Sequence, residues 1–423
     1  MAARIQDSSE CRPDGSNQRD RTNVTDTDRP VYLDNHATTQ VDPRVAEAMW
    51  PYFVERYGNA GSTSHSFGWE AREAVDAARE SIARSLNVSP REIVFTSGAT
   101  ESNNLALRGL ADRPRRRGNH IVSVVTEHKA VLDPLARLGR RGFEITLLPV
   151  ASQDASLPGR VDVEQLARAL RDDTLAVSVM LANNEIGVVQ PIEEIGALCR
   201  ARGVPLHCDA TQAVGKLPLD MASLPVDLLS FSGHKLHGPK GVGALYVRRM
   251  SPPLRLEPLF DGGGQEAGLR SGTLNVPGIV GLAAALTLCV DELPAETLRL
   301  RTLRDELFRQ LQSTIDGVQL NGPPLDDLET RLAANLNVAF DFVEGQALMM
   351  RLKRLAVSSG SACTSTNPEP SHVLRALGLS ADRARSSLRF GLGRFNSAED
   401  IAQAAGMLRE AVTELRAFSS WRP

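Results

Sequence analysis

Lys235 stands in FSGHKLHGPKG (231–241), directly after an apolar run of strand type. A lysine at a strand end projects its amine into the space beyond the sheet. In a partly desolvated site such an amine has a lowered pKa and forms a Schiff base with an aldehyde. Alone, this residue reads as a surface lysine, but its surroundings change the weighting. Asp209, in HCDATQ, ends the preceding strand-type run. A carboxylate there suits a protonated pyridine nitrogen, the partner that pyridoxal phosphate needs to act as an electron sink. SGATES (97–102) places a glycine and hydroxyl residues between a strand and a helix. Backbone amides at such a helix start, with Thr100, suit a phosphate.

A fourth feature is a thiol with no apolar neighbour. Cys363 lies in SSGSACTSTNPEP (358–370), among small polar residues. Free cysteine is usually buried, so this setting predicts an exposed cysteine on a mobile loop. Two other patterns lead nowhere. Gly233 and Gly238 have the glycine spacing of a nucleotide-binding P-loop, but Pro239 takes the lysine position. His234 and His237 lack a third ligand nearby, and no CxxC pair occurs, so a stable metal site is not expected.

The elements that must position these residues alternate along the chain. Strand-type runs cover 92–97, 120–126, 143–150, 175–182, 204–210, 227–232 and 243–249, and helical periodicity covers 71–86, 130–140 and 192–202. This alternation predicts an α/β fold with a largely parallel, buried sheet wrapped by helices. Ligands of such sheets gather beyond the carboxyl ends of the strands. SGATES, TEH, NNEIG, DATQ and SGHK all follow strand-type runs. A single long charged helix is expected over 291–312, leading into a smaller C-terminal α/β domain. The expected division is a disordered leader (1–29), a segment at 30–45 associated with the small domain, a large domain (46–290) and a small domain (291–423) carrying the cysteine loop (about 356–370).

Composition narrows the function classes. The net charge of −3 and an aromatic content of 4 % argue against nucleic-acid binding. The basic run RPRRRG (113–118) reads as a solvated loop. No apolar stretch approaches the ~18 residues needed to span a bilayer, and the polar first residues show no signal-peptide core. A cytoplasmic location is the expectation.

The chain resembles the fold-type I pyridoxal-phosphate enzymes, and within them the cysteine desulfurases of the class V aminotransferase group. The resemblance rests on YLDNHATTQVDPRV, TSGATESNN, TEHKAVL, NNEIGVVQPI, HCDATQAVGK, SFSGHKLHGPKGVGALYVR, GGGQEAGLRSGTLN, SSGSACTS and SSLRFGLGRFN, from about Val31 to Phe395. It implies that Lys235 carries the cofactor and that Asp209 pairs with its ring nitrogen. Gln212 and Asn184 would sit near its phenolic oxygen, and His128 would stack on the ring and handle protons. Ala99, Thr100, Ser232 and His234 would hold the phosphate, joined by Thr273 from a second subunit of a homodimer. Arg389, with Asn184 beside it, would bind the substrate carboxylate. Cys363 would take sulfur from L-cysteine as a persulfide and pass it to an acceptor protein, for iron–sulfur cluster assembly or tRNA thiolation; the same thiol is a potential ligand for a transferred cluster. SSGSACTS is similar to the group with a long catalytic loop. A selenocysteine lyase, another class V lyase or aminotransferase, and a non-catalytic scaffold remain the competing readings. The pair Asn35-His36 departs from a motif that varies among related enzymes.

Overall fold

Runs rich in Val, Ile and Leu, bounded by turn residues, become buried strands in the computed structural model, which describes residues 30–114, 117–251, 253–359 and 370–418. A short strand β1 (Val31–Tyr32) comes first, followed by β2 (Ile93–Thr96), β3 (His120–Val124), β4 (Glu144–Leu148) and β5 (Thr174–Ser178). β6 (Leu206–Asp209), β7 (Leu228–Ser232) and β8 (Gly243–Val247) complete a seven-stranded sheet of order β2-β8-β7-β6-β5-β3-β4. β8 alone runs against its neighbours; the pairings among β3, β4, β5, β6 and β7 are parallel. Every residue of β2, β3, β5, β6 and β7 is buried, as expected of a sheet covered on both faces. The α/β class read from the sequence is therefore the observed one.

Beyond the large sheet lie β9 (Val318–Leu320), β10 (Asn335–Phe340), β11 (Leu355–Ala356) and β12 (Ser387–Gly391). β12, β10 and β9 form an antiparallel sheet in that order, and β11 pairs in parallel with β1. One apolar core gathers residues from Val45 to Cys289, with Leu332; another joins Val31 and Leu33 to residues between Leu303 and Val412. The N-terminal strand thus packs with the C-terminal part of the chain.

The long charged helix expected over 291–312 is present as Leu293–Thr314, and a separate apolar helix precedes it. Val276–Asp291 and Leu293–Thr314 meet at Glu292 with a bend of 75°. Pro294 sits in the first turn of the second helix, where its missing N–H costs nothing and its fixed φ suits a helix start. Glu292 is also held from outside, by Arg44 at 2.7 Å and Arg394 at 2.8 Å. The apolar first helix fills the larger core; Leu303, Leu307 and Leu311 of the second fill the other.

Candidate active site

Strand order brings the loops after β2, β3, β5, β6 and β7 around one cavity of about 470 Å³. Its walls include Ala99, Thr100, His128, Asn184, Asp209, Gln212, Ser232, His234, Lys235 and Arg389. Of the residues named from the sequence, Thr273 is exposed and does not line this chain's cavity. Cys363 and the leader at 1–29 lie outside the described residues.

Lys235 follows β7 in a single 3-10 turn, Gly233–Lys235. Its Nζ donates to the carbonyl oxygens of His36 at 2.7 Å and Ala37 at 2.6 Å. Asp209 ends β6, with Oδ2 accepting from Asn103 Nδ2 at 2.7 Å and Oδ1 from the Thr211 backbone N–H at 3.0 Å. These donors orient a buried carboxylate at the cavity wall. His128 caps the helix Lys129–Gly139, its Nδ1 accepting from the Ala130 N–H at 3.0 Å. Burial pulls the pKa of His128 below its ordinary value, so the ring is neutral. A neutral imidazole whose Nδ1 accepts carries its proton on Nε2. His128 therefore has one hydrogen-bond donor, at Nε2.

The turn at 97–100 has the features of an anion cup. The helix Ala99–Ala111 starts at Gly98 without a side-chain cap, which leaves first-turn amides unsatisfied by any capping group. Gly98 adopts φ +151°, a conformation that favours glycine. Gly243 permits the close approach of this turn to β8: a Cβ there would lie 2.7 Å from Gly98 Cα and 2.5 Å from the Phe231 oxygen. Ser232 and His234 face the same cavity. Burial and then the neighbouring Lys235 pull His234 down to about 4, so it is neutral and its Nδ1 lies 3.2 Å from Thr38 Oγ1.

Arg389 comes from β12, far from the other residues in sequence. It is 1 % exposed, and Nη2 donates to Asp34 at 2.8 Å while Nη1 donates to the Asn184 carbonyl at 3.2 Å. A buried guanidinium held from two sides is pre-oriented for a carboxylate. Replacing Arg389 by Lys is expected to raise the KM for an amino-acid substrate by about ten- to a hundredfold, the worth of one or two charged hydrogen bonds. Steady-state kinetics check this, and an unchanged KM would remove Arg389 from the substrate site.

A profile of the aminotransferase class-V family matches residues 31–403. The chain is 55 % identical over 390 residues to the cysteine desulfurase IscS of Anaeromyxobacter dehalogenans, covering 92 % of this chain and 94 % of that one. The chain belongs to the class-V aminotransferase family. Among solved structures, a NifS-like protein superposes on this class-V chain with a TM-score of 0.82 at 38 % identity, covering 91 % of this chain and all of the other. A structure described as SspA in complex with cysteine matches with a TM-score of 0.74 at 36 % identity, covering 86 % and 99 % of the two chains.

Two residues at or near this class-V site owe their state to the folded chain. Glu127, between Thr126 and His128 in TEH, is fully buried, and its Oε1 accepts from the Met180 N–H at 2.5 Å. Burial, and then the charge of Asp209, push its carboxyl well above the ordinary range. Burial and Asp209 thus both favour its protonated form. Its folded-state pKa exceeds the unfolded one, so the stability it contributes is present in acid and is lost as pH rises through the folded value. Glu127→Gln, a neutral isostere, is expected to flatten the fall of the urea midpoint above about pH 5. An equally steep fall in the variant would contradict a protonated Glu127. His36, in the departing Asn35-His36 pair, is 1 % exposed, with Nδ1 3.1 Å from Gln212 Oε1. Burial and then the charges of Lys216 and Arg389 hold it well below its ordinary value. The sequence marks the pair at the edge of the pocket; the packing of His36 against Gly391 of β12 and Gln212 is set by the folded chain.

Proposed function

We propose that this chain is a pyridoxal-phosphate-dependent cysteine desulfurase that converts L-cysteine to L-alanine and takes the sulfur onto Cys363. The observation that carries the reading is the convergence of Lys235, Asp209, His128 and Arg389 on one cavity. The similarity to cysteine desulfurases at 55 % identity supports it, as does the likeness to a structure holding cysteine.

The residues present fit the cofactor. The open helix start at Gly98, with Thr100, Ser232 and His234, suits a phosphate. Asp209, braced by Asn103 and Thr211, suits a ring N–H⁺. Gln212, Asn184 and His128 lie on the same walls. When bound there, pyridoxal phosphate supplies the electron sink for negative charge at the substrate Cα. Arg389 holds the substrate carboxylate and so aims the Cα–H bond. The Lys235 amine, positioned by the His36 and Ala37 carbonyls, takes the Cα proton. The Cys363 thiolate attacks the substrate sulfur: an S–S bond forms as the Cβ–S bond breaks, its electron pair leaves with Cβ, and a proton completes the methyl group of alanine. The persulfide then passes to an acceptor protein, for iron–sulfur cluster assembly or tRNA thiolation.

Both flanks of the Cys363 segment support this use. Arg389 N donates to Ser358 O at 2.7 Å on one side, and His372 lines the cavity on the other. Cys363 lies five positions after Ser358, a contour of at most about 18 Å. A homodimer, with Thr273 completing the partner's phosphate site, is supported by the exposed aromatic surface of Trp50, Phe53, Tyr57, Phe67 and Trp69. The buried free thiols Cys199, Cys208 and Cys289 fit a reducing cytoplasm.

The test is turnover by the full-length chain loaded with pyridoxal phosphate and supplied with L-cysteine and a thiol reductant. Equimolar alanine and sulfide are expected. Release of selenide from selenocysteine, with no alanine from cysteine, would assign the chain to selenocysteine lyases instead.

A further inference from the structure

Lys216 lies four residues after Gln212, and the roles assigned so far leave it unused. Its Nζ donates to Gln212 Oε1 at 2.7 Å. In its charged form Lys216 has donors and no acceptor, and that form keeps the oxygen end of the Gln212 amide toward it. The NH₂ end is turned the other way, where Nε2 donates to the His36 carbonyl oxygen at 2.9 Å. That same oxygen accepts from Lys235 Nζ at 2.7 Å. One side-chain amide and one backbone carbonyl therefore connect the two lysines.

The lysines also share a wall. Both line a second cavity of about 60 Å³, and Lys235 lines the main one as well. The charged and titratable groups facing it are His237 and Lys235 from the loop after β7, Cys289 and Glu296 from the two bent helices, and Arg394 from the segment after β12. Arg389 adds its influence from the main cavity. Arg394 is paired with Asp42 and Glu292, and Glu296 with Arg299, whereas the hydrogen-bond partner of Lys216 is a neutral amide. Burial, and then the charge of Lys235, pull Lys216 down to about 7. By reciprocity a charged Lys216 disfavours charge on Lys235, and a second cation beside a Schiff-base lysine promotes its neutral, nucleophilic amine.

We infer that Lys216 is a positioning residue for Lys235: it orients the Gln212 amide and, when protonated, places a positive charge on the same cavity wall as the cofactor-bearing amine. The inference rests on the reading that Lys235 carries pyridoxal phosphate.

The experiment is an absorbance titration of the cofactor-loaded full-length chain, without substrate, following the visible chromophore linked to Lys235. Lys216→Met removes the charge, so the protonated linkage should persist to higher pH, its midpoint rising by about one unit. Lys216→Gln should behave alike, and Lys216→Arg, which keeps the charge, should titrate near the wild-type midpoint. Failure of both neutral variants to load the cofactor, with normal loading of Lys216→Arg, would equally support a need for the charge. Neutral variants within about 0.2 unit of wild type would overturn the inference. So would Lys216→Arg shifted as far as Lys216→Met, or unable to load, since either marks a structural role only. A wild-type chain with no Lys235-linked chromophore would instead remove the parent reading.

Discussion

Lys235→Ala is expected to lower alanine formation from cysteine by at least about a thousandfold, within the range that one general acid–base group contributes. Two roles converge on this amine, attachment of the cofactor and removal of the Cα proton, so the loss should lie at the upper end of that range. The surrounding geometry makes substitution by other groups ineffective. Nζ is seated by two carbonyl oxygens, at 2.7 and 2.6 Å, which fix its position at the cavity wall. Neutral His128 is a weak replacement base, because burial pulls its pKa below the ordinary value and its Nδ1 lone pair is taken by the Ala130 N–H. The variant should still bind pyridoxal phosphate through the Gly98 turn and Asp209, but lose the chromophore of the lysine linkage. Turnover within tenfold of wild type, or a retained lysine-linked chromophore, would show that Lys235 is not the attachment site.

Cys363→Ser should abolish persulfide formation and lower sulfide release by about two orders of magnitude or more, with the cofactor absorbance unchanged. A hydroxyl ionises far above the thiol range of about 8.5 and gives no persulfide. The two substitutions separate cleanly. Lys235→Ala acts before the C–S bond is activated, so radiolabelled cysteine should leave neither alanine nor bound sulfur. Cys363→Ser leaves Cα proton exchange intact, readable as loss of the Cα signal in deuterated solvent. Unchanged sulfide release from Cys363→Ser would move the nucleophile elsewhere. Cys199 and Cys208 are poor candidates, since each is buried and burial pushes both thiols up, Cys199 to about 12.

Asp209 and Lys235 were legible because each sits at the end of a strand whose apolar run is local and contiguous. β6 and β7 are buried at every position, so their composition marks them without reference to the rest of the chain. His128 and Thr100 were legible for a related reason, as residues at strand-to-helix turns. The charged helix Leu293–Thr314 was legible from its periodicity, but the 75° turn onto it at Glu292 was not. Glu292 at that turn is paired with Arg44 and Arg394, which approach from elsewhere in the chain and which no local pattern announces. Glu127 was hidden for another reason. Its type announces a charged surface residue, and only complete burial beside Asp209 turns it into a neutral acid.

The sequence by itself determined the α/β class, the order of the strands along the chain, the family and the chemical types available at each strand end. These follow from local patterns: period-two and period-3.6 runs, turn residues and short motifs of fixed spacing. The tertiary structure alone decided which of those residues meet. Lys235 Nζ reaches a carbonyl 199 residues away, and Arg389 reaches Asp34 across 355. Contacts at such separations depend on sheet order and on the docking of β12 against the N-terminal segment, which no local propensity encodes. Burial is likewise a property of the assembled fold. It is what makes His128 and Glu127 neutral and brings Lys216 onto the same cavity wall as Lys235.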